Sequence, residues 1–467
     1  MNLSSDDDII KKKQQGSVVM SQVILDVQKE YSCDVLVCGG GVSGFSAAVA
    51  AARCGAKTML IESGGFLGGT ATKGLVAPFM TCYDAEGKER IIKGLYSELE
   101  ERLVSLKGAV PADKTLVGNS YNGYRPMGHK GVLPFDQETI KIVFDEMCLE
   151  SGVKLLYHTI LIGCDSENGK ISCVYAADSN DIISIKAKMF IDTTGSSALA
   201  HKAGAQTMRG NEDGILQTNS MFFVISGVDK TYVDEHMKKH TERRDRFYMD
   251  VIEQGKKDGT FPCGTPTIRM FENPNGTYSV NMAQIDEQMN ELDTEEITNA
   301  EISQRLQIQK LIKFLRENIP GLENIELVAT ASDLGIRESR RIVGKTIFRL
   351  DDILQCRKFD DRIAVCANSI DIHEKNRVNY TTHIGNNYYI PLSCLISNNI
   401  DNLLTAGKSL SADKYAFAAV RVIPPCFAMG EAAGVTAALA VKQGVCAGDV
   451  SYKEVQEILL ENGAYLG

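Results

Sequence analysis

One unit constrains this chain more than any other: residues 35–62, VLVCGGGVSGFSAAVAAARCGAKTMLIE. Val35, Leu36 and Val37 make an apolar run suited to a strand buried on both faces. Gly39, Gly41 and Gly44 then carry the G-x-G-x-x-G spacing where that strand must turn into a helix. The first allows a tight turn, the second lets a pyrophosphate lie against bare backbone, and the third lets the helix pack close on the sheet. Ala47 to Ala52 keep that helix small-sided, Gly55 ends it, and residues 58–61 read as a second buried strand. Glu62 follows about 20 residues after the glycines, where an acid accepts ribose hydroxyls and disfavours a 2′-phosphate. A lone glycine motif is weak evidence. Strand, glycines, helix, strand and acid in register identify an adenine dinucleotide site. No second G-x-G-x-x-G occurs, so no separate nicotinamide domain is expected.

The rest of the chain arranges itself about that unit. Residues 1–30 are charge-blocked, lack the apolar stretch of a secretory signal, and read as a disordered leader. After Glu62, the glycine-dense stretch 63–74 brings Ser63, Gly69 and Thr70 beside the cofactor strand, as backbone passing close to a ligand would. Helices are expected over 93–106 and 135–152, the second with Asp136 as N-cap. Residues 153–163, 171–177 and 182–187 alternate like antiparallel strands. Met189 to Asp192 is a buried-type strand leading into Thr193, Thr194 and Gly195. Residues 214–359 have a different texture, with short strands and a helix over 301–317. They read as an α+β domain inserted between the two halves, 31–213 and 360–467, of an α/β dinucleotide-binding domain. Within the insert Arg337, Arg340 and Arg341 stand beside Glu338. Guanidinium forks recognise carboxylates bidentately, and they equally make ion pairs across a domain junction. The final helix enters through Pro424 and Pro425, and its small residues Gly430, Ala432, Ala433 and Gly434 let it lie close to a ring system.

Composition excludes several classes. A formal charge of −10 argues against nucleic acid, which wants a basic footprint. No apolar run reads as a membrane span. Thirteen scattered cysteines, without a CxxC or a Cys/His cluster at zinc spacing, predict neither a disulfide framework nor a metal site. A reducing cytoplasm fits them.

With these segments placed, the chain resembles the FAD-dependent oxidoreductases of the fumarate reductase and p-hydroxybenzoate hydroxylase superfamily. The matching segments are 38–44 with Glu62, 67–72, 190–195, the GIRESRR box at 335–341, 388–391, 402–407 and 421–434. The resemblance implies a Rossmann-like FAD-binding domain of the glutathione reductase 2 type, with the insert as substrate or cap domain. It implies extended FAD on Gly39, Gly41, Val42, Ser43, Gly44, Glu62, Ser63, Gly69, Thr70, Thr194, Gly195, Gly407, Val422 and Ile423. The covalent histidine of fumarate reductases has no counterpart in the Gly68–Thr72 loop, and Lys408 stands where those enzymes carry an acid. Their His-Gly-x-x-Arg signature is missing, so fumarate or succinate does not carry over. The expected activity is hydride transfer between flavin N5 and a small, anionic substrate. Arg337, Arg341 and Arg421 are expected to face substrate or reduced flavin, and His383 and Tyr389 to move protons. An electron donor or acceptor is expected but not named by the residues, and a homo-oligomer is left open. The alternative is a flavin subunit that passes electrons to a partner protein.

Overall fold

Val35–Cys38 lies at the centre of a five-stranded sheet ordered Leu403–Thr405, Met189–Asp192, Val35–Cys38, Thr58–Ile61, Lys154–Leu156. The computed structural model describes residues 26–125, 128–239, 248–265, 267–285, 287–373, 380–382 and 384–467. Every pairing in this sheet is parallel. Its central strand is buried throughout, as a run apolar on both faces requires. Gly39, at φ +103°, turns the chain into helix Val42–Arg53. Asp136 caps helix Gln137–Glu150 as expected, accepting from the Glu138 and Thr139 N–H groups.

The closing helix, Ile423–Gln443, packs directly on Val42–Arg53. Its glycines permit this: a Cβ on Gly434 would lie 2.2 Å from Ala47 O, and one on Gly430 2.3 Å from Ser43 O. Ser46 Oγ donates to Phe427 O at 2.9 Å across the same interface. The closing helix is long and apolar enough to cross a bilayer, contrary to the reading of the sequence, but 94% of its apolar window is buried inside this protein. It is the core helix of the fold.

Glu431 sits in that helix, 2% exposed. Its Oε2 accepts from Leu95 N–H at 3.2 Å, at the start of helix Leu95–Ser105, and its Oε1 has no partner. Burial pushes the carboxyl up to about 7, and the Leu95 N–H offsets only part of that. An acid whose pKa is higher in the folded state holds its proton longer there. Its contribution to stability is therefore complete below the ordinary value of 4.5 and is lost as pH rises through about 7. Glu431→Gln should raise the melting temperature more at pH 8 than at pH 5, with a difference on the order of 2–3 kcal/mol. Thermal melts of both proteins at the two pH values check this.

A second, antiparallel sheet follows, ordered Met270–Glu272, Tyr278–Gln284, Ser220–Ser226, Glu326–Thr330. Helix Thr294–Asn318 packs on it, its first turn capped by Asp293. Met221, Phe223, Ile225, Ile308, Leu311 and Leu315 form a core separate from that of the parallel sheet. That core closes at Leu334, with Ile336 packed against it. Ile342, Phe348, Ile353 and Phe359 belong instead to the cores around the parallel sheet, so residues 342–359 sit with the dinucleotide half. The leader also ends earlier than residue 30, because Lys29–Ser32 pairs in parallel with Ile182–Lys186. The expected disorder of residues 1–25 lies outside the described residues.

Candidate functional site

A cavity of about 470 Å³ runs along the carboxyl ends of the parallel strands. Gly39, Gly41, Val42, Ser43, Glu62, Ser63, Gly69, Thr70, Thr194, Gly195, Gly407 and Ile423 line it. Ile297, Glu301, Asp333, Leu334 and Ile336 line it as well, from the helix of the second sheet and the segment leaving it. Val422 is the N-cap of the closing helix, just beside the lining. A Cβ built on Gly41 meets nothing within 4 Å, so bare backbone faces open space at a helix N-terminus. That is the cradle a pyrophosphate needs, and these residues fit an extended FAD. Gly44 has the other role. A Cβ there would lie 1.9 Å from Gly39 O and 2.7 Å from Thr193 Oγ1, so this glycine serves packing.

Glu62 is 7% exposed at the end of its strand. Its Oε2 accepts from Gly40 N–H at 2.7 Å. Its Oε1 accepts from Gly64 N–H at 2.7 Å, Ser63 Oγ at 3.1 Å and Lys73 Nζ at 2.6 Å. Burial pushes this carboxyl up, but Lys73 and the two backbone donors outweigh it and hold it below its ordinary value. With Oε1 saturated, one lone pair at Oε2 is left for a ribose hydroxyl while Lys73 stays in place. The dinucleotide pattern does not signal Lys73, which arrives from the glycine-dense loop and also lies 4.0 Å from Asp333. Glu62→Gln should weaken FAD binding by about 1–3 kcal/mol, or roughly 5- to 150-fold, read from flavin fluorescence on titration.

Arg421 also lines the cavity, in the turn before the closing helix. Its Nη2 donates to Asp371 O at 3.0 Å and Gln217 Oε1 at 3.3 Å, and it ion-pairs with Asp371 Oδ2 at 3.4 Å. Arg337 lies behind it, donating to Thr218 O at 2.6 Å and Ser220 Oγ at 2.8 Å. Burial, and then the Arg421 charge, bring its guanidinium down to about 9. His373 Nε2 meets Asp371 Oδ2 at 2.9 Å. Burial first, then Arg337, takes His373 down to about 4, so its ring is neutral at pH 7. Asp371 stays well below the usual carboxylate range even though burial pushes it up, because His373 and Arg421 oppose that push.

Two expected residues are elsewhere. Arg341 is 1% exposed and away from the cavity, ion-paired with Glu338 and donating to Ala412 O at 3.0 Å and Gly210 O at 2.8 Å. Its guanidinium lies 5.0 Å from the Phe417 ring centroid, and its role is structural. Tyr389 does not line the cavity either. It packs against the C-terminal Gly467 with Lys358 Nζ 5.5 Å from its ring, while neighbouring Tyr388 is the buried one. Strand alternation sends these two side chains to opposite faces. His383 lies outside the described residues.

The cavity also holds two residues to which the sequence assigned no role. Lys408 donates to Ile336 O at 2.7 Å and is lowered to about 8, chiefly by burial. Cys426 lines the cavity from the first turn of the closing helix. Both sit within segments the sequence marks, directly after Gly407 and Pro425, and cavity position is what distinguishes them.

Among known proteins, the digeranylgeranylglycerophospholipid reductase of Thermoplasma acidophilum is 24% identical over 247 residues, 50% of this chain and 54% of that protein. The chain therefore spans about half the length of the curated relatives it matches. A geranylgeranyl bacteriochlorophyll reductase-like protein from Thermoplasma acidophilum has a TM-score of 0.43 at 14% identity, covering 92% of this chain and 84% of that one. The flavin-dependent brominase Bmp2 gives 0.46 at 12%, covering 92% and 83%. None of these likenesses is close enough to carry an activity across. The model of the FAD dependent oxidoreductase family matches residues 34–459, nearly the whole chain, and the protein belongs to that family.

Proposed function

We propose that the protein moves a hydride between a small anionic organic substrate and FAD. The observation that supports this most is Arg421, a cation lining the same cavity as the glycine cradle and Ile423. Bound FAD supplies the two-electron chemistry, giving or taking a hydride at N5. The Gly39–Gly44 turn would hold the pyrophosphate, Glu62 a ribose hydroxyl, and the start of the closing helix the ring. The second sheet then serves as the cap of a glutathione-reductase-2-type arrangement, its helix and exit segment shielding the cavity from water. Arg421 orients the substrate anion, supported by Asp371 and Gln217, with Arg337 adding charge from behind. Lys408, whose Nζ exchanges its proton near neutrality, takes the proton-holding role first expected of His383 and Tyr389.

The protein should purify yellow and release FAD into the supernatant on acid precipitation, since residues 68–72 contain no histidine. A colourless protein that FAD cannot reconstitute would end this reading. Small acids, amino acids and enones should then be screened for anaerobic bleaching or reoxidation of the flavin. If none acts while a reduced protein partner does, the electron-transfer alternative replaces the enzyme.

A further inference from the structure

The Arg421 wall of the cavity carries more positive charge than a single carboxylate calls for. Arg269, Arg337 and Arg421 come from three separate stretches of chain: the edge of the second sheet, the segment leaving it, and the turn before the closing helix. All three act electrostatically on Asp371 or on one another. Asp371 feels Arg421 and Arg269, and Arg337 feels Arg421, Asp371 and Arg269. Among the described residues Asp371 is the one carboxylate set directly against them. Nearby Glu338 is committed to Arg341 and to Gln217 N–H. His373 is neutral at pH 7 and adds no charge. Among the described residues these three cations face one carboxylate, and Lys408 on the cavity wall adds to the positive side.

The hydrogen bonds are as incomplete as the charge. Arg269 Nε and Arg421 Nε are buried without a partner, and so is Gln217 Nε2. Arg337 is held only by a carbonyl and a hydroxyl, neither carrying a counter-charge. Buried cations without anions are costly, and buried donors without acceptors add to that cost. Arg421 lines the cavity with Gln217 bonded to it, Arg337 and Arg269 act on it or on its partner Asp371 from behind, and one ligand at the Arg421 wall can offset both deficits.

From this we infer that the substrate is a small dianion: a molecule with two negative charges, carried either on two carboxylates or on one phosphate group. The inference rests on the functional reading above and narrows it. Arg421 meets the ligand at the cavity wall. Arg269 and Arg337 supply the further positive charge that a monoanion would leave uncompensated.

The test uses the FAD-loaded protein and three probes: malonate, inorganic phosphate and acetate. Binding is followed by calorimetry and by the shift in melting temperature. Malonate or phosphate should bind at least about tenfold more tightly than acetate, since the second charge meets a second cation. Whichever of the two binds more tightly identifies the anionic group. Arg269→Gln should bring dianion affinity down to the acetate level and leave acetate nearly unchanged. Should that variant fold poorly, the wild type still decides: dianion affinity should fall with added sodium chloride about twice as steeply as acetate affinity. Equal affinity and equal salt slope for acetate and both dianions would overturn the inference. So would a folded Arg269→Gln variant with unaltered dianion binding. Repeating the titration on FAD-free protein separates the two readings. Dianion binding without any flavin chemistry leaves this site standing and removes the proposed reaction.

Discussion

Gly44→Ala should melt well below the wild type and give less soluble protein. The added methyl would sit 1.9 Å from Gly39 O and 2.7 Å from Thr193 Oγ1. Neither can retreat easily. Gly39 N–H is bonded to Ile61 O at 2.9 Å, and Thr193 Oγ1 already donates to Gly39 O at 2.7 Å. Helix and sheet would have to part, at a cost of about 3 kcal/mol or more in a fold whose whole margin is roughly 5–15 kcal/mol. Gly41→Ala is the matched comparison, because its methyl meets nothing in the protein and enters the space kept for the pyrophosphate. That variant should fold, melt near the wild type, and bind FAD about tenfold or more weakly. Soluble yield, melting temperature and flavin content separate the two. If Gly44→Ala melts like Gly41→Ala, the packing assignment is wrong.

Arg421→Lys should retain FAD and melting behaviour while losing substrate-dependent flavin turnover by roughly 10²-fold, equivalent to about 3 kcal/mol. The lysine keeps a charge at the cavity wall. It cannot reach Asp371 O and Gln217 Oε1 and still present a planar face to a carboxylate. Release of FAD by this substitution would make Arg421 a cofactor residue. No change in either quantity would make it structural.

How far the sequence could be read depends on how local each signal is. The dinucleotide unit is contiguous, and each glycine states its own requirement, so Gly39, Gly41 and Glu62 stand where the spacing puts them. The arginine box is contiguous too, yet its members diverge: Arg337 goes to the second sheet's strand, while Arg341 turns back to Glu338 and Ala412. Their partners come from distant segments, and no spacing within the box encodes that. The Tyr388–Tyr389 pair shows the same limit, since alternation says the two differ but not which faces inward. Lys73, Arg269, Asp371 and His373 belong to no motif at all. Lys73 reaches Glu62 from the glycine-dense loop, whereas Arg269, Asp371 and His373 approach one another only through the tertiary fold.

The closing helix has a consequence for how the protein is made. Ser46 and Phe427, bonded to each other, are 381 positions apart in the chain. The strand Leu403–Thr405 that borders the parallel sheet likewise follows its partner strand Met189–Asp192 at a long distance in the chain, Leu403 pairing with Phe190. At ribosomal speeds of about 5–20 residues per second, the apolar flank of Val42–Arg53 waits roughly 20–80 s for its cover. During that interval the glycine turn exists as sequence but not as a finished pocket. The second sheet, whose strands and helix all fall between residues 220 and 330, can complete its own core earlier. Flavin capture is therefore expected only once helix Ile423–Gln443 has been made, and nascent chains stalled before residue 423 should retain no FAD.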